Sequence, residues 1–227
     1  MAARHLLSVG DLDRHDVERI LASARELDDS QATEIEGDAR DDLRGRTVVN
    51  LFYESSTRTL SSFELAAKRL SATTMSLRAA GSSVDKGESL RDTALTLSAY
   101  DPVAIVVRHP MAGAPRIVAD ATEAHVVNAG DGKHQHPTQA LLDLYTLERA
   151  CGRLEGLHVA IVGDVLHSRV ARSLVQALGL VGARATLVAP PTLLPRGIEA
   201  LGGHLHTHVE RASTGRGNGD FHRGKYR

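Results

Sequence analysis

TVVNLFYESSTRTLSSFE, residues 47–64, holds the junction on which the fold reading turns. The apolar run from Thr47 to Tyr53 reads as a buried strand. It ends in hydroxyls and a guanidinium, Ser56-Thr57-Arg58-Thr59, and a helix-like pattern follows from Thr57 to Leu70. A helix start leaves backbone N–H groups unpaired, its dipole favours negative charge, and Ser, Thr and Arg side chains add donors. The segment is therefore a candidate oxyanion pocket. Taken alone, the tetrapeptide reads equally well as an N-cap cluster beside a surface arginine, so the rest of the chain has to decide.

Working outward, strands and helices alternate. Thr73 to Leu77 is expected as a strand and Ala79 to Gly87 as a glycine- and serine-containing loop. Glu88 to Tyr100 reads as a helix, Pro102 to Val107 as a strand and Gly113 to Thr122 as a helix. Val126 to Ala129 is a short strand, and Thr138 to Cys151 a long helix. Upstream, Asp11 or Asp13 can cap a helix whose Val17, Ile20, Leu21 and Leu27 fall at helical spacing, with a polar, acidic loop at 30–44. Several strands are continuous apolar runs, as in parallel sheets covered on both faces. Alternation of this kind indicates an α/β fold with a parallel sheet.

After a junction at Gly152 to Gly156 a second α/β unit opens, Rossmann-like in pattern. It has strand Leu157 to Val162, loop Gly163 to His167, helix Ser168 to Leu180 and strand Ala185 to Ala189. Beyond Pro195 the composition shifts to Gly, His and Arg, and from Gly202 no apolar period is sustained, which predicts disorder. The expected division is a first domain over 1–150, an incomplete second domain over 151–195 and a divergent tail over 196–227. The two strands of the second domain are expected to carry open edges.

The bulk numbers bound the function. The 227 residues carry 27 basic and 28 acidic side chains, a balance that argues against a nucleic-acid or anionic-membrane binder. No apolar run is long enough to span a bilayer. Cys151 is the single cysteine, which fits a reducing, cytoplasmic setting. The N-terminal residues lack the apolar core of a signal peptide.

Candidate ligands for an anion and a carbonyl recur at the carboxyl ends of the expected strands: Ser56 to Thr59, then Ser82, Ser83 and Lys86, then Arg108 and His109, then Gly130-Asp131-Gly132 with His136 and Gln139, then His167-Ser168-Arg169. In open parallel sheets ligands bind outside those ends. Arginine and lysine with a helix start suit a phosphate, and a histidine and a threonine hydroxyl can donate to a carbonyl oxygen. A glutamine can hold an amide NH₂ through its own oxygen. The sequence has no Ser-His-Asp pattern, cysteine nucleophile, metal motif or G-x-G-x-x-G. No metal and no cofactor is expected, and the implied chemistry is positioning and electrostatic stabilisation of an oxyanion.

Five ordered blocks now carry a resemblance: FYESSTRT at 52–59, GSSVDKGESLRDT at 81–93, VVRHP at 106–110, NAGDGKHQHPTQALLDLYT at 128–146 and IVGDVLHSRVARSL at 161–174. Together they resemble the aspartate/ornithine carbamoyltransferase family. The loop ending in Lys86-Gly87-Glu88 and the His-Ser-Arg block favour its aspartate-using branch. The resemblance implies a carbamoyl-phosphate domain followed by an amino-acid domain, and transfer of the carbamoyl group of carbamoyl phosphate to L-aspartate, a step toward pyrimidines. It implies that Ser56, Thr57, Arg58 and Thr59 bind the phosphate, with Thr59 near the carbonyl oxygen. Arg108 would bridge phosphate and carbonyl, His136 polarise the carbonyl, and Gln139 hold the carbamoyl NH₂. Ser82 and Lys86 would come from a neighbouring subunit, which implies a homotrimer, and Arg169 would hold a carboxylate of aspartate. A regulatory subunit or a dihydroorotase is a further partner the resemblance leaves open.

Two departures accompany it. Leu60 stands where the family usually has a second arginine, so a charge beside the phosphate pocket is expected to be missing. An Arg-x-Gln segment and a His-Pro-Gly-Pro-like segment of the family's second domain are not found. Two other readings therefore stand beside the first: a transferase using ornithine or another amine, and a non-catalytic carbamoyl-phosphate-binding or trimer-scaffold protein.

Overall fold

The structure is a computed structural model that describes residues 4–33, 40–78 and 88–207. Helix α1, Arg14–Thr33, runs through the start of the segment expected as loop. The Asp13 carboxylate accepts from the Asp16 N–H at 2.8 Å, which caps the helix as the sequence suggests.

A four-stranded parallel sheet follows in the order β2-β1-β3-β4. Its strands are β1 (Thr47–Phe52), β2 (Thr73–Arg78), β3 (Ala104–His109) and β4 (His125–Asp131), and the connecting helices are α2 (Thr57–Arg69), α3 (Leu90–Ser98) and α4 (Ala114–Ala119). Successive residues of a strand face opposite sides. Val49, Leu51, Ile105, Val107 and Val126 accordingly pack with Ala94 and Leu97 of α3 and Val118 of α4. Val48, Phe52, Val106 and Ala129 pack on the other face with Leu60 and Ala67 of α2. Both faces are covered, which is why the strands read as unbroken apolar runs.

Helix α5 (Pro137–Cys151) leads to a second parallel sheet of order β5-β6-β7, with β5 (His158–Val162), α6 (Arg169–Leu180), β6 (Arg184–Val188) and β7 (His204–His206). The two units share a core. Val17 and Leu21 of α1, Ala140, Leu141 and Leu144 of α5, and Leu174 and Leu178 of α6 form one buried cluster. Each fully buried Leu or Val contributes on the order of 1.5–3 kcal/mol, so the joint is packed like an interior and holds the loops on either side in fixed register.

The tail expectation is corrected over its first residues. His204–His206 forms β7, paired parallel with Thr186–Val188, so β6 is flanked on both sides. Ile198 is buried and Leu205 packs against the shared core. Three residues are too few to show a period, and a glycine at 203 lets the backbone approach Leu187, whose Cδ1 would lie 3.2 Å from an added Cβ. Residues 208–227 lie outside the described residues. No described helix is long and apolar enough to cross a membrane.

Candidate active site

The carboxyl ends of β1, β3, β4 and β5 converge on a cavity of about 640 Å³. Ser56, Arg58 and Thr59 line it from the start of α2, Arg108 from the end of β3, His136, Thr138 and Gln139 from the start of α5, and Arg169 from the start of α6. Phe63, Ala66, Leu142 and Val170 form its apolar wall. Thr57, the first residue of α2, is exposed and is not among the lining side chains. Ser82 and Lys86 lie outside the described residues.

The α2 start is arranged for an acceptor. Ser56 is the N-cap, yet its side chain caps no backbone N–H and instead donates to Thr59 Oγ1 at 2.9 Å. The first-turn N–H groups therefore stay available, and the helix brings its positive end to the cavity. Arg108 Nη1 donates to Ala129 O at 3.2 Å and reaches Thr59 Oγ1 at 3.5 Å.

Glu54 organises the two half-buried guanidiniums of Arg108 and Arg169. Its carboxylate takes both Arg169 nitrogens, Nη1 at 3.0 Å and Nη2 at 3.3 Å, and lies 3.6 Å from Arg108 Nε. Arg169 Nη1 also donates to Gly132 O at 2.9 Å. Gly130 has φ +115°, and a Cβ there would stand 2.9 Å from Arg169 Nε, so this close approach requires glycine. Burial first, and the Arg169 charge second, pull the Arg108 guanidinium below its ordinary value, with Glu54 opposing.

His136 is buried, and its imidazole is pushed down to about 4, chiefly by desolvation and then by Arg169 and Arg108. It is neutral at physiological pH. Thr138 Oγ1 lies 3.4 Å from its Nδ1. A hydroxyl donating there leaves the proton on Nε2, ready to donate to an oxygen in the cavity. The backbone of His136 is held from the second unit: its N–H donates to Ser173 Oγ at 2.9 Å, and Ser173 Oγ donates to Gln135 Oε1 at 2.7 Å. Gln139 Nε2 donates to Asp143 Oδ1 at 3.0 Å, one helical turn on.

The loop before His136 hangs on Asp131. This buried carboxylate accepts from Asn128 Nδ2 and the Gln135 N–H, both at 2.9 Å, and from the Gly113 N–H at 2.7 Å; His134 Nδ1 lies 2.9 Å away. His109 turns away from catalytic geometry. Its Nδ1 accepts from the Met111 N–H at 2.9 Å, its ring tilts against Tyr53 with centroids 4.6 Å apart, and burial lowers its pKa.

The structure thus brings Ser56, Arg58, Thr59, Arg108, His136, Gln139 and Arg169 together. Sequence reasoning missed the supporting roles of Glu54, Asp131, Asp143 and Ser173. The signal for the first three was a charge inside an otherwise apolar or glycine-rich run; Ser173, a serine on an apolar helix, offered none. The charge expected to be missing at residue 60 is indeed absent, and the leucine in its place is internal. Leu60 is buried between α2 and the sheet and does not line the cavity. Neighbours in a helix point about 100° apart, so adjacency to Thr59 in sequence does not put residue 60 in the pocket.

Comparison with known proteins finds relatives over most of the chain. The family model described as aspartate/ornithine carbamoyltransferase, carbamoyl-P binding domain, matches residues 4–149. The aspartate carbamoyltransferase catalytic subunit of Thermobifida fusca is 59% identical over 196 residues, 86% of this chain and 62% of the relative. That of Kineococcus radiotolerans is 60% identical over 203 residues, 87% of this chain and 63% of the relative. Among solved structures, the catalytic subunit of M. jannaschii aspartate transcarbamoylase superposes with a TM-score of 0.80 at 40% identity, covering 89% of this chain and 67% of that one. Trypanosoma cruzi aspartate transcarbamoylase in complex with carbamoyl phosphate and aspartate superposes with a TM-score of 0.81 at 30% identity, covering 90% and 70%. The chain spans about three-fifths of the length of the curated relatives it matches.

Proposed function

This chain belongs to the aspartate/ornithine carbamoyltransferase family, and on that premise we propose that its cavity binds carbamoyl phosphate and serves transfer of the carbamoyl group to the amine of L-aspartate. The observation that carries the reading is the convergence of Ser56, Arg58, Thr59, Arg108, His136, Gln139 and Arg169 on one cavity. Residues 1–150 form the carbamoyl-phosphate domain in this reading, and the amino-acid side begins at 151.

The phosphate sits at the α2 start, on Ser56, Arg58 and Thr59 and on Thr57 through its first-turn backbone N–H, with Arg108 spanning phosphate and carbonyl oxygen. Helix-end N–H groups and guanidiniums are strong ligands for such a dianion. Neutral His136 donates from Nε2 to the carbonyl oxygen, and Gln139 accepts from the carbamoyl NH₂ through Oε1. Arg169 holds a carboxylate of aspartate. Attack of the aspartate amine on the carbonyl carbon places negative charge on the oxygen facing His136, Thr59 and Arg108. Donors already held in place stabilise that charge without reorganising. Collapse of the tetrahedral intermediate breaks the bond from the carbonyl carbon to the phosphate oxygen, the departing phosphate takes the proton the amine gives up, and N-carbamoyl-L-aspartate and phosphate are released. Ser82 and Lys86 are assigned to a neighbouring copy's site, with a homotrimer as the assembly and a cytoplasmic setting. A regulatory subunit or dihydroorotase partner is tested by co-purification.

The test is the rate of carbamoyl-aspartate formation from carbamoyl phosphate and aspartate by the purified chain, with His136→Ala as control. Turnover lost in the variant supports the reading. Turnover with ornithine in place of aspartate replaces the amine assignment. Carbamoyl-phosphate binding without turnover by any amine leaves a binding protein.

A further inference from the structure

We propose that Asp143 is a positioning residue that makes the cavity selective for a carbamoyl over an acetyl group, by fixing which end of the Gln139 amide faces the ligand. The inference rests on the carbamoyl-phosphate reading above and extends it to a residue one turn deeper in α5.

Gln139 lines the cavity, and Asp143 is buried on the same helix, four residues on. Buried carboxylates are costly unless a donor satisfies them. Here Gln139 Nε2 supplies one at 3.0 Å to Asp143 Oδ1. An ionised carboxylate only accepts, so the reverse amide orientation would press two acceptors together. The carboxylate therefore selects one of two nearly isosteric amide orientations. With one Nε2 hydrogen donated to Asp143, the amide is turned so that Oε1, an acceptor, lies on the side away from that carboxylate. An acceptor matches the NH₂ of a carbamoyl group. It has no partner on the methyl of an acetyl group, and burying it against that methyl leaves it unsatisfied. Arg108, Arg58 and the α2 start hold the phosphate common to both ligands, so they contribute to affinity without discriminating between them.

The experiment measures dissociation constants of the full chain for carbamoyl phosphate, acetyl phosphate and inorganic phosphate by calorimetry, in the unaltered protein and in Asp143→Leu and Asp143→Ala. Leucine keeps the volume of the side chain, and inorganic phosphate reports on the fold and the anion pocket. The unaltered chain is expected to favour carbamoyl over acetyl phosphate by roughly five- to tenfold, the weight of one oriented hydrogen bond. Both variants are expected to compress that ratio to within about twofold while phosphate affinity holds. A ratio preserved in both variants overturns the role of Asp143 and leaves the carbamoyl-phosphate reading standing. Equal binding of the two acyl phosphates by the unaltered chain overturns that reading and this inference together. A parallel loss of affinity for all three ligands in both variants also overturns it, because Asp143 would then serve the fold.

Discussion

Acidification should weaken this fold through His136, and the size of the effect follows from the site. The imidazole is pushed from its ordinary 6.5 down to about 4 by burial and by the Arg169 and Arg108 charges. In the unfolded chain it returns to 6.5, so between about pH 6.5 and pH 4 the unfolded state binds more protons than the folded one, and stability falls as pH falls. The contribution is fully present above about pH 6.5 and is lost progressively toward pH 4, where it totals about 3 kcal/mol at 1.36 kcal/mol per unit. Going from about pH 7.5 to pH 5, His136 alone removes about 2 kcal/mol, a large part of an ordinary folding stability of roughly 5–15 kcal/mol. The chain has no tryptophan, so urea unfolding is best followed by far-ultraviolet circular dichroism across that pH range. His136→Gln, which cannot titrate, is expected to lose about 2 kcal/mol less than the unaltered protein over the same interval. His5, His109 and His158, all lowered first by burial, titrate in both proteins and cancel in the comparison. Parallel pH profiles within about 0.5 kcal/mol would refute the electrostatic account of the site.

Three further outcomes follow from the packing. Ser173→Ala leaves the His136 N–H without its acceptor and Gln135 Oε1 with only the Val9 N–H at 3.5 Å; at roughly 1–3 kcal/mol for a buried group left unpaired, the urea midpoint should drop with an unchanged slope. Gly130→Ala forces a Cβ to 2.9 Å from Arg169 Nε at a φ of +115°; a loss of about 1–3 kcal/mol in thermal unfolding is expected, and an unshifted melt would contradict the close approach. Leu60→Ala should cost about 2–5 kcal/mol by cavity formation, with the phosphate affinity of the folded protein unchanged by calorimetry; a weakened affinity at unchanged stability would return Leu60 to the pocket.

The strand–helix alternation of residues 47–151 was legible because the longer helices show their period and the central strands β1 and β3 are largely apolar on both faces. The site residues were legible for a different reason: charges and hydroxyls at the ends of apolar runs fall at one edge of any parallel sheet. β7 was not legible, since His204–His206 contributes a single apolar side chain, Leu205, and owes its place to pairing with β6. Ser173 was hidden because its hydrogen bond joins residues 38 apart in the chain, and no local pattern records such a partner. The setting of Leu60 follows from its spacing to Phe63 and Ala67, which marks the buried stripe of α2.

The cavity is cationic by assembly from both sides of the joint. Arg58 and Arg108 belong to the first unit and Arg169 to the second, and Glu54 ties Arg169 to the end of β1. Two half-buried guanidiniums beside one another are unfavourable unless something anionic lies near. Glu54 supplies part of that charge from one side. An incoming phosphate dianion can supply the rest from the cavity side, so the site gains most from a ligand that is anionic and has a second oxygen for His136. The same reasoning explains why His136 must be neutral: a protonated imidazole between Arg108 and Arg169 would add a third positive charge to a buried cluster. The joint that holds Arg169 in place is the shared core of α1, α5 and α6 together with the Ser173 bond to the His136 backbone. Arg169 and Val170, both beyond residue 150, therefore belong to the cavity lining. A fragment ending at 150 would keep the matched phosphate-binding domain and lose both Arg169 and the Val170 portion of the apolar wall.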